Sequence, residues 1–131
     1  MIPDPARLTD YLQHVLQAID RILSYSGGFD EAAFIGNELV QDAVIRNFEV
    51  IGEASHNIEV QFPKFAAAHP ELPLAFAYQM RNAIAHGYYR VDLKIVWRTI
   101  ATDLPDFRAL VLAATNDLPA SGTFDPDPAP C

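Results

Sequence analysis

Apolar residues recur along this chain at intervals of three and four, and no stretch of useful length alternates in the manner of a strand. The first stripe runs Leu8, Leu12, Val15, Ile19, Ile22, Leu23. Asp4 is placed to cap it, Pro5 sits in the first turn where its missing N–H costs nothing, and Gly27-Gly28 should end it. A short segment from Asp30 to Ile35 leads through Gly36-Asn37 into a second long helix. Its inner side is expected to carry Leu39, Val40, Ala43, Val44, Phe48, Ile51, Ala54 and Ile58, with Pro63 as its stop. Residues 63–73 read as irregular, with one helical turn at Lys64–Ala68. A third helix should begin near Leu72 and run through Met80 to His86, with Gly87 as its C-cap. The fourth starts at the N-cap Asp92 and shows Leu93, Val96, Trp97, Ile100, Leu104 and Phe107, continued by Leu110, Val111 and Ala114. Pro105 removes a donor and crowds the turn before it, which predicts a kink or restart near Asp103. The pattern predicts an all-α fold, a mostly up-and-down bundle of about four main helices with the last one kinked.

Composition sets the limits of that bundle. The 131 residues suit one domain, residues 1–118. Residues 119–131 hold four prolines, two aspartates and one large apolar side chain, too little to offset the entropy of ordering, so a disordered tail is expected there. The single cysteine, Cys131, falls in that tail and forms neither an intrachain disulfide nor a metal site. His14, His56 and His69 lack metal-ligand spacing, and there is no Gly-rich phosphate loop or Gly-x-Ser-x-Gly elbow. No cofactor or metal is therefore expected. Without a basic, apolar leader or a run near the ~20 apolar residues of a membrane span, a soluble cytoplasmic protein is the expectation.

The net charge of −8 argues against a nucleic-acid partner. Its distribution weakens that objection. From Arg81 to Arg108 there are five cations against three acids, and elsewhere four cations against fourteen acids. The positive charge gathers around one motif, Arg81-Asn82-Ala83-Ile84-Ala85-His86-Gly87-Tyr88, an Arg-x4-His-x-Tyr pattern. Arginine grips phosphate with a forked, permanently charged donor, and histidine moves protons near neutral pH. Together they suit metal-free RNA cleavage. A ribose 2′-OH would attack the adjacent phosphate with His86 as general base or acid, while Arg81 neutralises the phosphorane. Asn82 would hold one His86 tautomer or bond a phosphate oxygen, and Tyr88 would contact substrate.

On a straight helix Arg81 and His86 diverge by about 140°. Either Gly87 turns the chain back, or two copies of the helix meet across a twofold axis; the second is favoured. The blander readings are an Arg81 ion pair with a neighbouring helix, a His86 bonded to a helix-end carbonyl, and wall positions for Tyr88 and Tyr89. Gly52 costs its helix about 1 kcal/mol unless close packing or a ligand needs the space. Glu53 could pair with Arg81, but its alignment with Arg46 and Glu49 favours a solvated charge line.

These blocks resemble the HepT-type branch of HEPN domains. The likeness rests on Arg81-Asn82-x3-His86-Gly87-Tyr88-Tyr89-x-Val91-Asp92, on Ile95-Val96-Trp97 and Asp103-Leu104-Pro105, and on residues 43–54 upstream, and it spans roughly residues 5 to 115. The segment before Arg81 lacks a tryptophan often seen in that branch. The resemblance implies a HEPN-like bundle that homodimerises with two motifs in one cleft. It implies a metal-independent endoribonuclease toxin of a type II or type VII-like toxin–antitoxin pair, silenced by a minimal nucleotidyltransferase antitoxin. By position, Arg81 and His86 are its catalytic pair, Asn82 a supporting residue, and Tyr88 the target of AMPylation. The alternative, which the acidity favours, is a non-catalytic HEPN adaptor that binds a nucleotidyltransferase or nucleotide.

Overall fold

A computed structural model describes residues 4–85 and 92–118. His86, Gly87 and Tyr88, and with them the expected C-cap, lie outside the described residues, as does the segment 119–131 assigned to a tail. Among the described residues the fold is all-α. It comprises α1 (Pro5–Ser26), α2 (Glu31–Ile35), α3 (Glu38–Gln61), α4 (Pro63–Ala68), α5 (Leu74–Ala85), α6 (Leu93–Arg98), a π-helical turn at Thr99–Asp103, and α7 (Leu104–Asn116). The four main helices of the sequence pattern correspond to α1, α3, α5 and the α6–α7 pair.

Helix α3 is the centre of the bundle, with α1 on one side and α5 on the other. Tyr11, early in α1, accepts a 3.1 Å hydrogen bond from Gln61 at the end of α3, so these two helices run antiparallel. Gly52 meets Arg81 while His56 stacks on Tyr78, so α3 and α5 are antiparallel as well. Helix α7 closes against α1, where Arg108 Nε donates to Asp20 Oδ1 at 2.6 Å. That bond and the attraction behind it hold Arg108 protonated even more firmly than an ordinary arginine. Phe34 of α2 is fully buried and packs at 5.5 Å between ring centroids against Trp97 of α6. The core is the expected stripe: Leu8, Leu12, Val15, Ile19 and Ile22 face Val44, Phe48, Ile51 and Ile58, with Val111 beyond.

Helix ends follow the side chains written for them. Asp4, Asp30, Asn37 and Asp92 each accept backbone N–H bonds in the first turn of the helix they precede. Pro105 acts as anticipated, and its effect is more specific than a kink. With its N–H missing, the chain widens: Leu104 N–H bonds the Thr99 carbonyl, five residues back, and the helix restarts at Leu104.

Two expectations are corrected. Leu39 is 80 % exposed rather than on the inner side of α3. It lies seven residues before Arg46 and fourteen before Glu53, so it shares their outward face. The third helix begins at Leu74, not near Leu72. Leu72 precedes Pro73, which pushes it out of helical backbone, and its N–H instead closes a turn on His69.

In that turn Glu71 accepts a 3.0 Å contact from His69 Nδ1. A backbone hydrogen bond first, and the His69 bond second, hold the Glu71 carboxyl below its ordinary range. A depressed carboxylate stabilises the fold above its unfolded pKa, and that contribution is lost as pH falls through the folded value. A pH titration followed by carboxyl NMR is therefore expected to show Glu71 ionising below a reference glutamate, and His69→Ala to return part of the shift.

Candidate functional site

The site begins with a glycine. A Cβ at Gly52 would lie 2.8 Å from the Ala77 carbonyl oxygen and would overlap the Cβ and Cγ of Arg81. The glycine lets α5 lie directly on α3, and the gap it leaves is filled by the root of the Arg81 side chain. Its helix-propensity cost has its reason in this close approach.

Resting on Gly52, the Arg81 side chain is 30 % exposed and its guanidinium is held at two points. Nη2 donates to Glu53 Oε2 at 3.2 Å, and Nη1 donates to Asn82 Oδ1 at 2.9 Å. The reading of Glu53 as part of a solvated charge line is therefore corrected. Its carboxylate is well exposed, at 63 %, yet it reaches across the helix seam to Arg81, because Gly52 brings α5 within reach. Arg46 and Glu49 pair with each other more loosely, at 3.7 Å. Asn82 bonds the arginine in the described structure. A guanidinium has five N–H donors, so with two engaged, three remain for an incoming anion. One turn along the seam His56 and Tyr78 stack at 3.8 Å with an 11° tilt and fix the register of α3 against α5.

Arg81 forms the edge of a cleft of about 340 Å³ between α1 and α3. Its walls include Tyr11 and His14 from α1 and Arg46, Glu49, Glu53 and Asn57 from α3. Tyr11 and His14 meet edge to face at 6.4 Å. No sequence signal singled out Tyr11 or Asn57, which come together only when α1 and α3 pack antiparallel. Among the described residues no group of three or more His, Cys, Asp or Glu side chains is arranged to hold a metal ion, and no helix is long and apolar enough to cross a membrane.

The motif now stands in two parts. Arg81 and Asn82 lie together on the α3–α5 seam with Glu53, while His86 and Tyr88 follow α5 in the segment outside the described residues. Chemically, the described part offers a braced, partly shielded cation facing a polar cleft, which suits capture of a phosphate.

A family model described as ribonuclease HepT-like matches residues 15–114, which include the whole motif. The chain is 35% identical over 99 residues to the "Probable ribonuclease HepT" of Thermococcus cleftensis, covering 76% of this chain and 87% of that protein. It is 32% identical over 108 residues to a longer protein of Methanocaldococcus jannaschii whose name joins a gamma-glutamylcyclotransferase to a candidate RNase. That match covers 82% of this chain and 47% of the relative, so the chain spans about half of it. A third relative, named as a candidate RNase of the same organism, is 30% identical over 99 residues, covering 75% of this chain and 87% of its own length. No solved structure gives a significant match. The family match over most of the chain and the similarity to these relatives lead to one conclusion: the chain belongs to the HepT-like ribonuclease family.

Proposed function

We propose that this chain is a metal-independent endoribonuclease, the toxin of a type II or type VII-like toxin–antitoxin pair, acting in the cytoplasm as a homodimer. The observation that carries the reading is Arg81, anchored by Glu53 and Asn82 at the mouth of a polar cleft with donors to spare. The 2′-oxygen attacks the adjacent phosphorus, and the bond to the departing 5′-oxygen breaks. His86 takes or returns the proton, and Arg81 neutralises the charge that builds on the equatorial oxygens. Pairing two α5 helices across a twofold axis answers the divergence of Arg81 and His86 on one helix, since each cleft then draws on both copies. Asn82 acts by steadying Arg81. Tyr88 is the residue a minimal nucleotidyltransferase antitoxin would block with AMP, placing a phosphate beside the catalytic pair.

The test is cleavage of mixed cellular RNA by purified protein in EDTA, after intact mass has excluded AMP on Tyr88. Cleavage by wild type and none by His86→Ala supports the reading. No cleavage by unmodified wild type favours the adaptor, for which the net charge of −8 speaks. Equal cleavage by both places the activity elsewhere.

A smaller effect tests the brace. Glu53→Gln keeps a hydrogen-bond acceptor for Arg81 but removes the charge that fixes it, so kcat is expected to fall about 10-fold, a modest loosening on the scale of catalytic misplacement. Glu53→Ala should cost more than Glu53→Gln, and the thermal midpoint of both should stay close to wild type because the Glu53 carboxylate is well exposed.

A further inference from the structure

The cleft beside Arg81 holds more chemistry than a phosphate requires. A phosphate needs cations, yet Glu49 and Glu53 put two carboxylates on its wall, and ionised carboxylates only accept hydrogen bonds. Arg81 occupies Oε2 of Glu53, and Arg46 stands 3.7 Å from Oε2 of Glu49, too far for a hydrogen bond. Acceptor capacity is left over on both residues. The Asn57 amide supplies further donors and an acceptor, and Tyr11 and His14 supply ring surfaces. At about 340 Å³ the cleft falls within the ~300–1,000 Å³ of small-molecule pockets. Acceptors, an amide and flat rings next to a phosphate-binding cation are what an unstacked nucleobase needs, since proteins read single-stranded RNA by stacking bases on aromatic groups and bonding their edges.

We propose that this cleft is a nucleobase subsite, receiving the base that flanks the scissile phosphate and favouring bases with amino donors, guanine above all, over uracil. The inference rests on the ribonuclease reading and adds its specificity. Guanine presents a ring N–H and an amino N–H side by side, the spacing one carboxylate accepts in parallel. Uracil presents a single ring N–H between two carbonyls, which a carboxylate repels. Arg46, at the rim and 72 % exposed, supplies charge for a neighbouring phosphate without entering the base contact.

Chimeric oligonucleotides with a single 2′-OH have a single cleavable position, and the base on either side of it can be varied in turn between guanine and uracil. The full-length protein is assayed on each in EDTA, as wild type, Glu49→Gln, Asn57→Ala and His86→Ala. Wild type is expected to favour guanine on one side of the cut. Glu49→Gln and Asn57→Ala should each lower kcat/KM for the guanine substrate about 10-fold, mainly through KM, while the uracil substrate loses nothing and, in Glu49→Gln, gains from the repulsion removed. Both variants change solvent-accessible helix positions, so unchanged circular dichroism and thermal midpoints should accompany the loss. Wild-type cleavage without base preference, or a preference that neither variant moves, overturns the subsite and leaves the ribonuclease standing. Absence of cleavage by wild type, or cleavage by His86→Ala equal to it, overturns the ribonuclease reading, and the subsite falls with it.

Discussion

Arg81→Ala is expected to lower RNA cleavage about 100- to 1,000-fold, the cost of removing one preorganised charge from a developing oxyanion. The size follows from where the guanidinium sits. It is partly shielded, at 30 % exposure, so its charge is screened less than a surface arginine's, and Glu53 and Asn82 have already fixed its orientation. Transition-state stabilisation of this kind is read in kcat, and KM should move less. Arg81→Lys keeps the charge and loses the fork; it should recover only part of the rate, because an ammonium cannot hold Glu53, Asn82 and two phosphate oxygens at once. His86→Ala should cost about 100- to 10,000-fold, the range of a positioned acid–base group. The double variant should be little worse than the more damaging single one, since the proposed mechanism has both act on the same phosphate. Single-turnover rates at saturating enzyme measure all four, with circular dichroism to confirm the helices. An Arg81→Ala enzyme within a few-fold of wild type would assign Arg81 to structure, as a partner of Glu53 and nothing more.

The helical fold was legible because its signals are local. Asp4 and Asp92 cap the helices they were expected to cap, and the stripe from Leu8 to Ile22 is buried as its spacing requires. Pro105 announces its break for the same reason, since a missing N–H has its consequence within one turn. Leu39 misled because hydrophobicity alone does not say which face of a helix a residue shares; its register with Arg46 and Glu53 does. The site was legible only in part. Arg81 and Asn82 stand out as a motif, but the Glu53 contact depends on how closely α3 and α5 approach, a property of two segments 28 residues apart. Gly52 carried that information in the sequence, as a glycine unexplained in mid-helix. The cleft wall of Tyr11, His14 and Asn57 has no sequence signature, because it exists only where α1 and α3 cross in opposite directions.

Gly52→Ala is the second large expected effect, and its sign runs against helix propensity. On an isolated helix the change would stabilise by about 1 kcal/mol. Here the new methyl would overlap Arg81 at its Cβ and lie 2.8 Å from the Ala77 carbonyl oxygen. Neither obstacle is the free end of a flexible side chain, so α5 must move as a body. Overpacking costs about 1–3 kcal/mol and occasionally more, and a contact with backbone belongs at the upper end or beyond it. A net loss of about 2 kcal/mol follows, which for a domain of this size lowers the thermal midpoint by about 8–12 °C. The same displacement lifts Arg81 away from Glu53 and from the cleft, and a misplacement of about 1 Å is enough to cost roughly 100-fold in rate. Activity should therefore fall far below wild type even at temperatures where the variant is fully folded. Arg81→Gly in the Gly52→Ala background separates the two effects: it removes the Cβ overlap and should restore part of the midpoint while leaving the enzyme inert. A Gly52→Ala protein with wild-type midpoint and rate would mean that α3 and α5 pack farther apart than this seam, and that Glu53 does not reach Arg81.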